Sequence, residues 1–236
     1  MMEIPQIEFP DLNVEAGTLY IVSTPIGNLE DISFRAIYVL NNVDYIAAED
    51  TRTSGILLAA YGIKRKLISY YSHVESQKLD FILGELKSGK SIGLISDAGT
   101  PCISDPGSIL VSHCLKENIN VVSIPGASSL IHSLVLSGFS TDKFYYHGFL
   151  PLKKGRETLF NELKELKMSI IIFESPFRVL KTLADILKYM GNKEVCLGRE
   201  MTKKFEEIKR GRVKDLLQNK DSLKIKGEFV IIINNT

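Results

Sequence analysis

The sequence predicts two α/β domains, the first built on a parallel, doubly wound sheet and the second on a mixed sheet. Short runs of β-branched and aromatic residues alternate with helix-period patterns through the first half of the 236 residues, which is typical of βαβ units. From Glu194 onward, strand-like runs follow one another with only one short helix between the last two. Such a succession indicates antiparallel strand pairs in a mixed sheet.

Five strands are predicted in the first half: Thr18–Ser23, Asp44–Glu49, Lys66–Tyr71, Ser91–Ser96 and Asn120–Pro125. Helical spacing of apolar residues from Leu79 to Leu86, followed by Gly89, predicts a helix and its end. Asp31 stands where we expect the N-cap of the helix after the first strand.

Five strands are also predicted in the second half: Phe144–Leu150, Ser169–Ser175, Glu194–Met201, Phe205–Arg212 and Glu228–Ile233. Pro176 is expected to open a long helix, because proline suits the first helical position. We therefore divide the chain into a loose leader over 1–17, an N-terminal domain over 18–126 and a C-terminal domain over 127–236.

Composition excludes several classes of protein. The net charge is +1, and the three cysteines lack the spacing of a zinc site or a disulfide framework, so no metal is expected. The longest apolar runs are too short to cross a bilayer, and the first residues do not resemble a signal peptide. We therefore expect a cytoplasmic protein with no membrane partner.

Glycine- and proline-rich turns follow several predicted strands. TPIGNLED follows the first strand and SIPGASS the fifth, at the strand ends where open α/β sheets bind ligands. Neither matches G-x-G-x-x-G, and no G-x-x-x-x-G-K-[ST] occurs in the chain, so an ordinary nucleotide cradle is poorly supported. Each turn taken alone is more typical of a chain reversal than of a site.

Two further strand ends carry charge. AEDTR contains Glu49, Asp50 and Arg52, which favour either acid–base and phosphate-binding chemistry or a solvated strand end whose Asp50 or Thr51 caps the next helix. SDAGTPCISDPG places Asp97 at a strand tip and Asp105 beyond a rigid turn. Its glycines permit a close ligand approach, and we expect Asp97 to point its carboxylate at a ligand.

Taken in order, TPIGNLEDISFRA, AEDTR, SDAGTPCISDPG, SIPGASS and IFESPFR resemble the tetrapyrrole-methylase-like superfamily. AEDTR and SDAGTP are similar to its bacterial branch that methylates the ribose 2′-hydroxyl of a cytidine in small-subunit (16S) ribosomal RNA. The resemblance extends from about Gly17 to Ile233. It implies S-adenosylmethionine in the cleft between the two domains, usually in a homodimer, with small-subunit rRNA and not DNA as the partner.

The resemblance also implies cofactor-binding residues. In the N-terminal part, Pro25 would line the pocket, Ile95, Ser96 and Asp97 would contact the cofactor, and Ile103 would pack nearby. Ser128 and Ser129 would hold it from the domain junction, and Glu174 and Met201 from the second domain.

For the methyl transfer itself, we expect Glu49 or Asp50 to take or orient the hydroxyl proton and Arg52 to hold a flanking phosphate. Two alternatives stay open: methylation of a small tetrapyrrole-like substrate, and a relative that binds cofactor or RNA without turnover. The second alternative is considered because many relatives continue into a helical tail beyond the point where this chain ends. A magnesium-dependent phosphohydrolase using Asp50, Asp97 and Asp105 is a more distant reading.

Overall fold

The computed structural model describes residues 13–72 and 74–236. The chain forms two compact units, the first ending at Ser128 and the second spanning Ser129–Thr236. The sequence placed this division two residues earlier, after Gly126. Most of the expected leader lies outside the described residues. His73, the histidine that the sequence offers as a candidate base, also lies outside them.

The first unit is a five-stranded parallel sheet in the order β3-β2-β4-β1-β5. Its strands are β1 (Thr18–Val22), β2 (Tyr45–Ala48), β3 (Lys66–Ser69), β4 (Ile92–Ile95) and β5 (Asn120–Ile124). Its helices are α1 (Phe34–Asn42), α2 (Thr51–Ala60), α3 (Glu75–Lys87) and α4 (Ser108–Lys116). The predicted parallel α/β half is thereby confirmed.

Side chains of β1 alternate between two hydrophobic clusters. Tyr20 and Val22 pack in one cluster, and Leu19 and Ile21 in the other. Successive side chains of a strand point to opposite faces, so apolar residues at every position mean that both faces of the sheet are covered. The burial of both faces stabilises the sheet, so a ligand site is expected in the turns at the strand ends and not on a face of the sheet.

The expected N-cap at Asp31 is wrong. Asp31 ends a short 3-10 turn, Leu29–Asp31, which Asn28 caps. Helix α1 begins later, and the Ser33 side chain caps it by accepting from the Ala36 N–H. Both residue types are good caps, and the intervening 3-10 turn moves the helix start to the serine.

The second unit is a five-stranded mixed sheet in the order β6-β7-β10-β8-β9. Its strands are β6 (Phe144–Phe149), β7 (Ser169–Glu174), β8 (Glu194–Arg199), β9 (Glu207–Arg212) and β10 (Phe229–Ile233). Its helices are α5 (Ser129–Ser137), α6 (Arg156–Glu165), α7 (Val179–Asp185) and α8 (Val213–Gln218). Only β6 and β7 pair in parallel, so the predicted mixed sheet is confirmed.

The helix expected at Pro176 begins at Val179 and is shorter than predicted. Ser175 O accepts hydrogen bonds from the Arg178 and Val179 N–H groups, so the residues between form a turn. After α7 the chain continues as a π-helical turn, Ile186–Met190. Val179, Leu183, Ile186 and Met190 of this segment pack in the hydrophobic core of the second unit. In the residues described, no helix has the length and apolar character needed to cross a membrane.

Gly126 provides a test of how tightly the turn after β5 packs on β1. A Cβ at Gly126 would lie 2.9 Å from the Ser23 Cβ, so Gly126→Ala forces the two turns apart. We expect it to destabilise the fold by about 1–3 kcal/mol, measured as a lower midpoint of urea unfolding. Gly84→Ala is the control, because it adds a methyl group to an exposed position of α3 with no atom within 4 Å. It should raise the midpoint, because alanine in the middle of a helix is more stable than glycine by about 0.5–1 kcal/mol.

Candidate functional site

The turn after β4 is bonded to the turn after β1. Thr24 N–H donates to Gly99 O over 2.9 Å, and Gly99 N–H donates back to Thr24 O over 3.1 Å. Beside this bridge, the hydroxyls of Ser23 and Thr100 lie 2.9 Å apart. The TPIGN and SDAGTP stretches, far apart in the sequence, therefore form one continuous backbone surface at the carboxyl ends of β1 and β4.

The expected cofactor residues of this surface fall into two groups. Pro25, Ile95 and Ser96 are buried, and Ile95 belongs to the hydrophobic core. Their side chains support the turn, so a ligand would meet mainly their backbone groups. Ile103, in contrast, is 43% exposed and presents its side chain. Ser128 and Ser129 are half-buried, one ending the first unit and the other beginning α5.

Asp97 bonds the turn after β4 to the turn after β2. Its Oδ1 accepts from the Asp50 N–H over 3.1 Å. Burial raises the pKa of the Asp97 carboxyl, and this backbone donor acts in the opposite direction. Asp97 thus lies at the strand tip, where its carboxylate is bonded to the turn after β2. Its contact with a ligand stays a prediction.

Asp50 and Arg52 form a closed pair. Arg52 donates from Nε and Nη2 to both carboxylate oxygens of Asp50, at 3.1 and 2.7 Å, and its own backbone N–H also donates to Asp50. These bonds hold the pKa of the Asp50 carboxyl at about 2. Asp50 is the N-cap of α2, as the structural reading of AEDTR expected. Such a carboxylate is a weak proton acceptor, whereas the Arg52 side chain remains 89% exposed.

Glu49 has the opposite environment. Burial raises the pKa of its carboxyl, and the nearby charge of Asp97 raises it further. A carboxyl whose pKa is moved toward neutrality is better matched to general-base chemistry than its neighbour Asp50. The two adjacent acids of AEDTR are therefore distinguished by their surroundings.

Asp105, which the sequence placed beyond the rigid turn of SDAGTPCISDPG, is a further acidic group near this site. Burial raises the pKa of its carboxyl to about 6, with an added contribution from the charge of Glu49. The sequence could show that Asp97 and Asp105 flank a rigid turn, but not which strand end Asp105 would approach. In the described part of the chain, no group of three or more His, Cys, Asp or Glu side chains is arranged to hold a metal ion.

Glu174, in the second unit, is bonded within its own fold. Its carboxylate accepts from Arg178 Nη2 at 2.6 Å and from Thr182 Oγ1 at 2.7 Å, and its side chain is fully buried. Thr182 in turn accepts from Arg156, which also pairs with Asp185. The carboxylate is thereby engaged in this network, which leaves backbone groups as the part of Glu174 that a ligand would meet.

The turn around Met201 is closely packed. The Met201 side chain is buried, and the next residue, Thr202, has φ 63° and a buried Oγ1 with no hydrogen-bond partner among the described residues. Ser133 Oγ, fully buried, likewise has no partner there. A Cβ at Gly198 would lie 2.7 Å from this hydroxyl and 3.0 Å from Met201 Sδ. Both hydroxyl oxygens are enclosed by protein atoms, so a ligand at this turn would meet other groups than these two hydroxyls.

Known proteins that are similar to this chain are methyltransferases. The family model for tetrapyrrole (corrin/porphyrin) methylases matches residues 18–217. A small-subunit ribosomal RNA methyltransferase I of Thermotoga maritima is 45% identical over 218 residues, 92% of this chain and 98% of that protein. Its Pasteurella multocida counterpart is 47% identical over 226 residues, 94% of this chain and 80% of that protein.

Solved structures show the same fold at low sequence identity. A cobalt precorrin-4 methyltransferase superposes with a TM-score of 0.67 and 18% identity, covering 92% of this chain and 94% of that one. A uroporphyrin-III C-methyltransferase of Thermus thermophilus, solved with S-adenosylhomocysteine, gives a TM-score of 0.65 and 15% identity, covering 91% and 96%. Together with the family match, these relatives show that the chain belongs to the tetrapyrrole methylase family of S-adenosylmethionine-dependent methyltransferases, alongside the small-subunit ribosomal RNA methyltransferases I.

Proposed function

We propose that this protein methylates the ribose 2′-hydroxyl of a cytidine in small-subunit (16S) ribosomal RNA. The observation that carries the proposal is the 45% identity to a ribosomal RNA methyltransferase I along 98% of that relative's length. The charged AEDTR turn beside the SDAGTP turn supports it, because an exposed guanidinium suits a phosphate-bearing substrate. Such a substrate places the reaction in the cytoplasm, and the homodimer implied by the resemblance remains part of this proposal.

In this proposal S-adenosylmethionine supplies, when bound, an electrophilic methyl group on a positively charged sulfur. The turns bearing Pro25, Ile95–Asp97 and Ile103 would hold it in the first unit, and Ser128 and Ser129 would hold it near the division. In the second unit, the backbone of Glu174 and the Met201 turn contribute. The chain's task is chiefly alignment of the ribose hydroxyl, since fixed geometry alone lowers the barrier substantially.

Glu49 is the proposed proton acceptor for the ribose hydroxyl. Of Glu49 and Asp50, only Glu49 has a raised pKa. The Arg52 guanidinium donates its hydrogen bonds to Asp50. Arg52 is proposed to hold a flanking phosphate, with Asp50 orienting its guanidinium. This assigns proton transfer and substrate positioning to neighbouring residues of one turn.

A second candidate is methylation of a small tetrapyrrole-like substrate, which the solved structures favour because both are named as enzymes of that chemistry. Salt dependence separates the two: contacts to RNA phosphates release counterions, so RNA affinity falls steeply with salt. Salt-insensitive binding of a tetrapyrrole, without RNA binding, would favour this candidate.

The third reading, a binder without turnover, differs from the main proposal in methyl transfer. We expect the purified protein to bind S-adenosylhomocysteine in calorimetry and to transfer a radiolabelled methyl group to small ribosomal subunits lacking the modification. The label should appear as a 2′-O-methylcytidine after nuclease digestion. Binding without transfer would support the binder, and a protein that binds no S-adenosylhomocysteine would contradict the proposal.

Replacing Glu49 tests the proton acceptor. A base works only when deprotonated, so activity should fall as the pH drops through the raised pKa of Glu49, above the ordinary value of 4.5. Glu49→Gln should lower kcat by about 10²–10⁴-fold and remove this acidic limb from the pH profile of any residual activity. Asp50→Asn is the matched control, and it should keep the limb because the Asp50 carboxylate is already ionised there. Retention of the limb in Glu49→Gln would contradict the assignment.

A further inference from the structure

The buried carboxylate of Glu75 joins three segments of the first unit. Glu75 is the first residue of α3 and only 7% exposed. Its Oε1 accepts from the Tyr70 hydroxyl at 2.8 Å and from the Gly107 N–H at 2.9 Å. Tyr70, fully buried, directly follows β3, and Gly107 directly precedes α4. One oxygen atom therefore connects the end of β3, the start of α3 and the start of α4.

The surroundings explain how a carboxylate is tolerated there. Gly107 is the N-cap residue of α4 and has no side chain to cap it, while Glu75 lies in the first turn of α3. Helix N-termini favour negative charge, and the two donors satisfy the buried oxygen. Burial and the bond to Glu75 raise the pKa of Tyr70, so the phenol stays protonated as a donor.

The backbone that Gly107 closes is strained. Cys102 and Ser104 both have positive φ, 73° and 64°, and Ile103 lies between them. Non-glycine residues hold such conformations only where their surroundings impose them. A bond from the Cys102 N–H to Pro106 O, 3.3 Å, closes the turn within itself, and the Glu75–Gly107 bond attaches it to the domain.

Gly107 cannot be replaced as the anchor of this turn. Its φ is 128°, and a Cβ there would lie 2.6 Å from Leu94 Cδ2 and 2.8 Å from Cys102 Sγ. Any side chain at this position would therefore clash with Leu94 and Cys102, so the position requires glycine. The turn leaves this anchored point and presents Ile103, 43% exposed, to solvent.

We propose that Glu75 is a positioning residue for the methyl transfer: its bond to the Gly107 N–H fixes the turn 101–107 so that Ile103 and the backbone of that turn meet the cofactor. Glu75 itself touches no reacting atom. This inference rests on the proposed function and adds to it a residue outside the cofactor-contacting stretches.

A pair of variants isolates the Gly107 bond from the stability of the core. Tyr70→Phe removes one donor and leaves the Glu75–Gly107 bond in place. The double variant Tyr70→Phe with Glu75→Leu replaces both buried polar side chains by apolar ones of similar shape, which keeps the fold viable because few groups are left unpaired. Glu75→Gln retains an acceptor oxygen and serves as the conservative variant.

Calorimetry with S-adenosylhomocysteine is the first measurement. We expect Tyr70→Phe and Glu75→Gln to keep the wild-type affinity and the double variant to bind at least about tenfold more weakly, with a raised KM for the methyl donor, as misplaced contacts do. Equal affinity in all four proteins would overturn the positioning role alone. If the wild-type protein itself did not bind, the proposed function would fail, and the positioning role with it.

Alkylation of Cys102, followed by mass spectrometry, reports on the turn without any ligand. The pKa of this thiol is raised to about 11 by burial and by the charge of Glu75, so it should react slowly in the wild-type protein and in Tyr70→Phe. The double variant releases the turn and removes that charge, so Cys102 should react faster, while the buried Cys114 and Cys196 serve as internal references. An unchanged Cys102 rate in the double variant would show that Glu75 does not hold the turn and would overturn the proposal.

Discussion

Hydrogen bonds on both sides of the turn after β4 hold the candidate site together. β4 lies between β1 and β2 in the sheet, so its turn has a neighbour in each direction. Thr24 bonds it to the turn after β1, and the Asp50 N–H bonds it, through Asp97, to the turn after β2. Because the strands are parallel and buried on both faces, their carboxyl ends cannot slide past one another, and the three turns keep a fixed geometry.

This constraint explains how adjacent acids acquire different chemistry. Asp50 lies at the start of α2, where it caps the helix and its carboxylate accepts two hydrogen bonds from the Arg52 guanidinium. Glu49 remains in partly buried surroundings, near the charge of Asp97. One backbone turn therefore separates a carboxyl whose pKa is lowered to about 2 from a carboxyl whose pKa is raised.

The second unit places a buried acidic side chain, that of Glu174, in a structural role instead. Glu174, Thr182 and Arg156 form a buried chain of hydrogen bonds that ends on Asp185. Removing one member of such a network leaves another buried charge without its partner, which typically costs about 3–5 kcal/mol. The network holds the end of β7 against α6 and α7, and so orients the backbone of the FES stretch.

The sequence by itself determined that the chain forms a parallel and a mixed sheet, and that charged or glycine- and proline-rich turns follow several strands. Those features follow from local patterns: β-branched runs, helical spacing and glycine–proline turns act over a few residues. The sequence was less accurate at the helix starts near Asp31 and Pro176, where a short 3-10 turn and a hydrogen-bonded turn at Ser175 displace the first helical residue.

Only the tertiary structure decided which acidic residues share an environment and which side chains are already bonded. Glu75 and Gly107 are 32 positions apart, and no local pattern shows that one oxygen of Glu75 reaches the Gly107 N–H. The same holds for the proximity of Asp105 to Glu49 and for the Glu174 network. Hydrogen bonds and charges act through space, so their consequences appear only once the strand order has brought distant segments to a common edge.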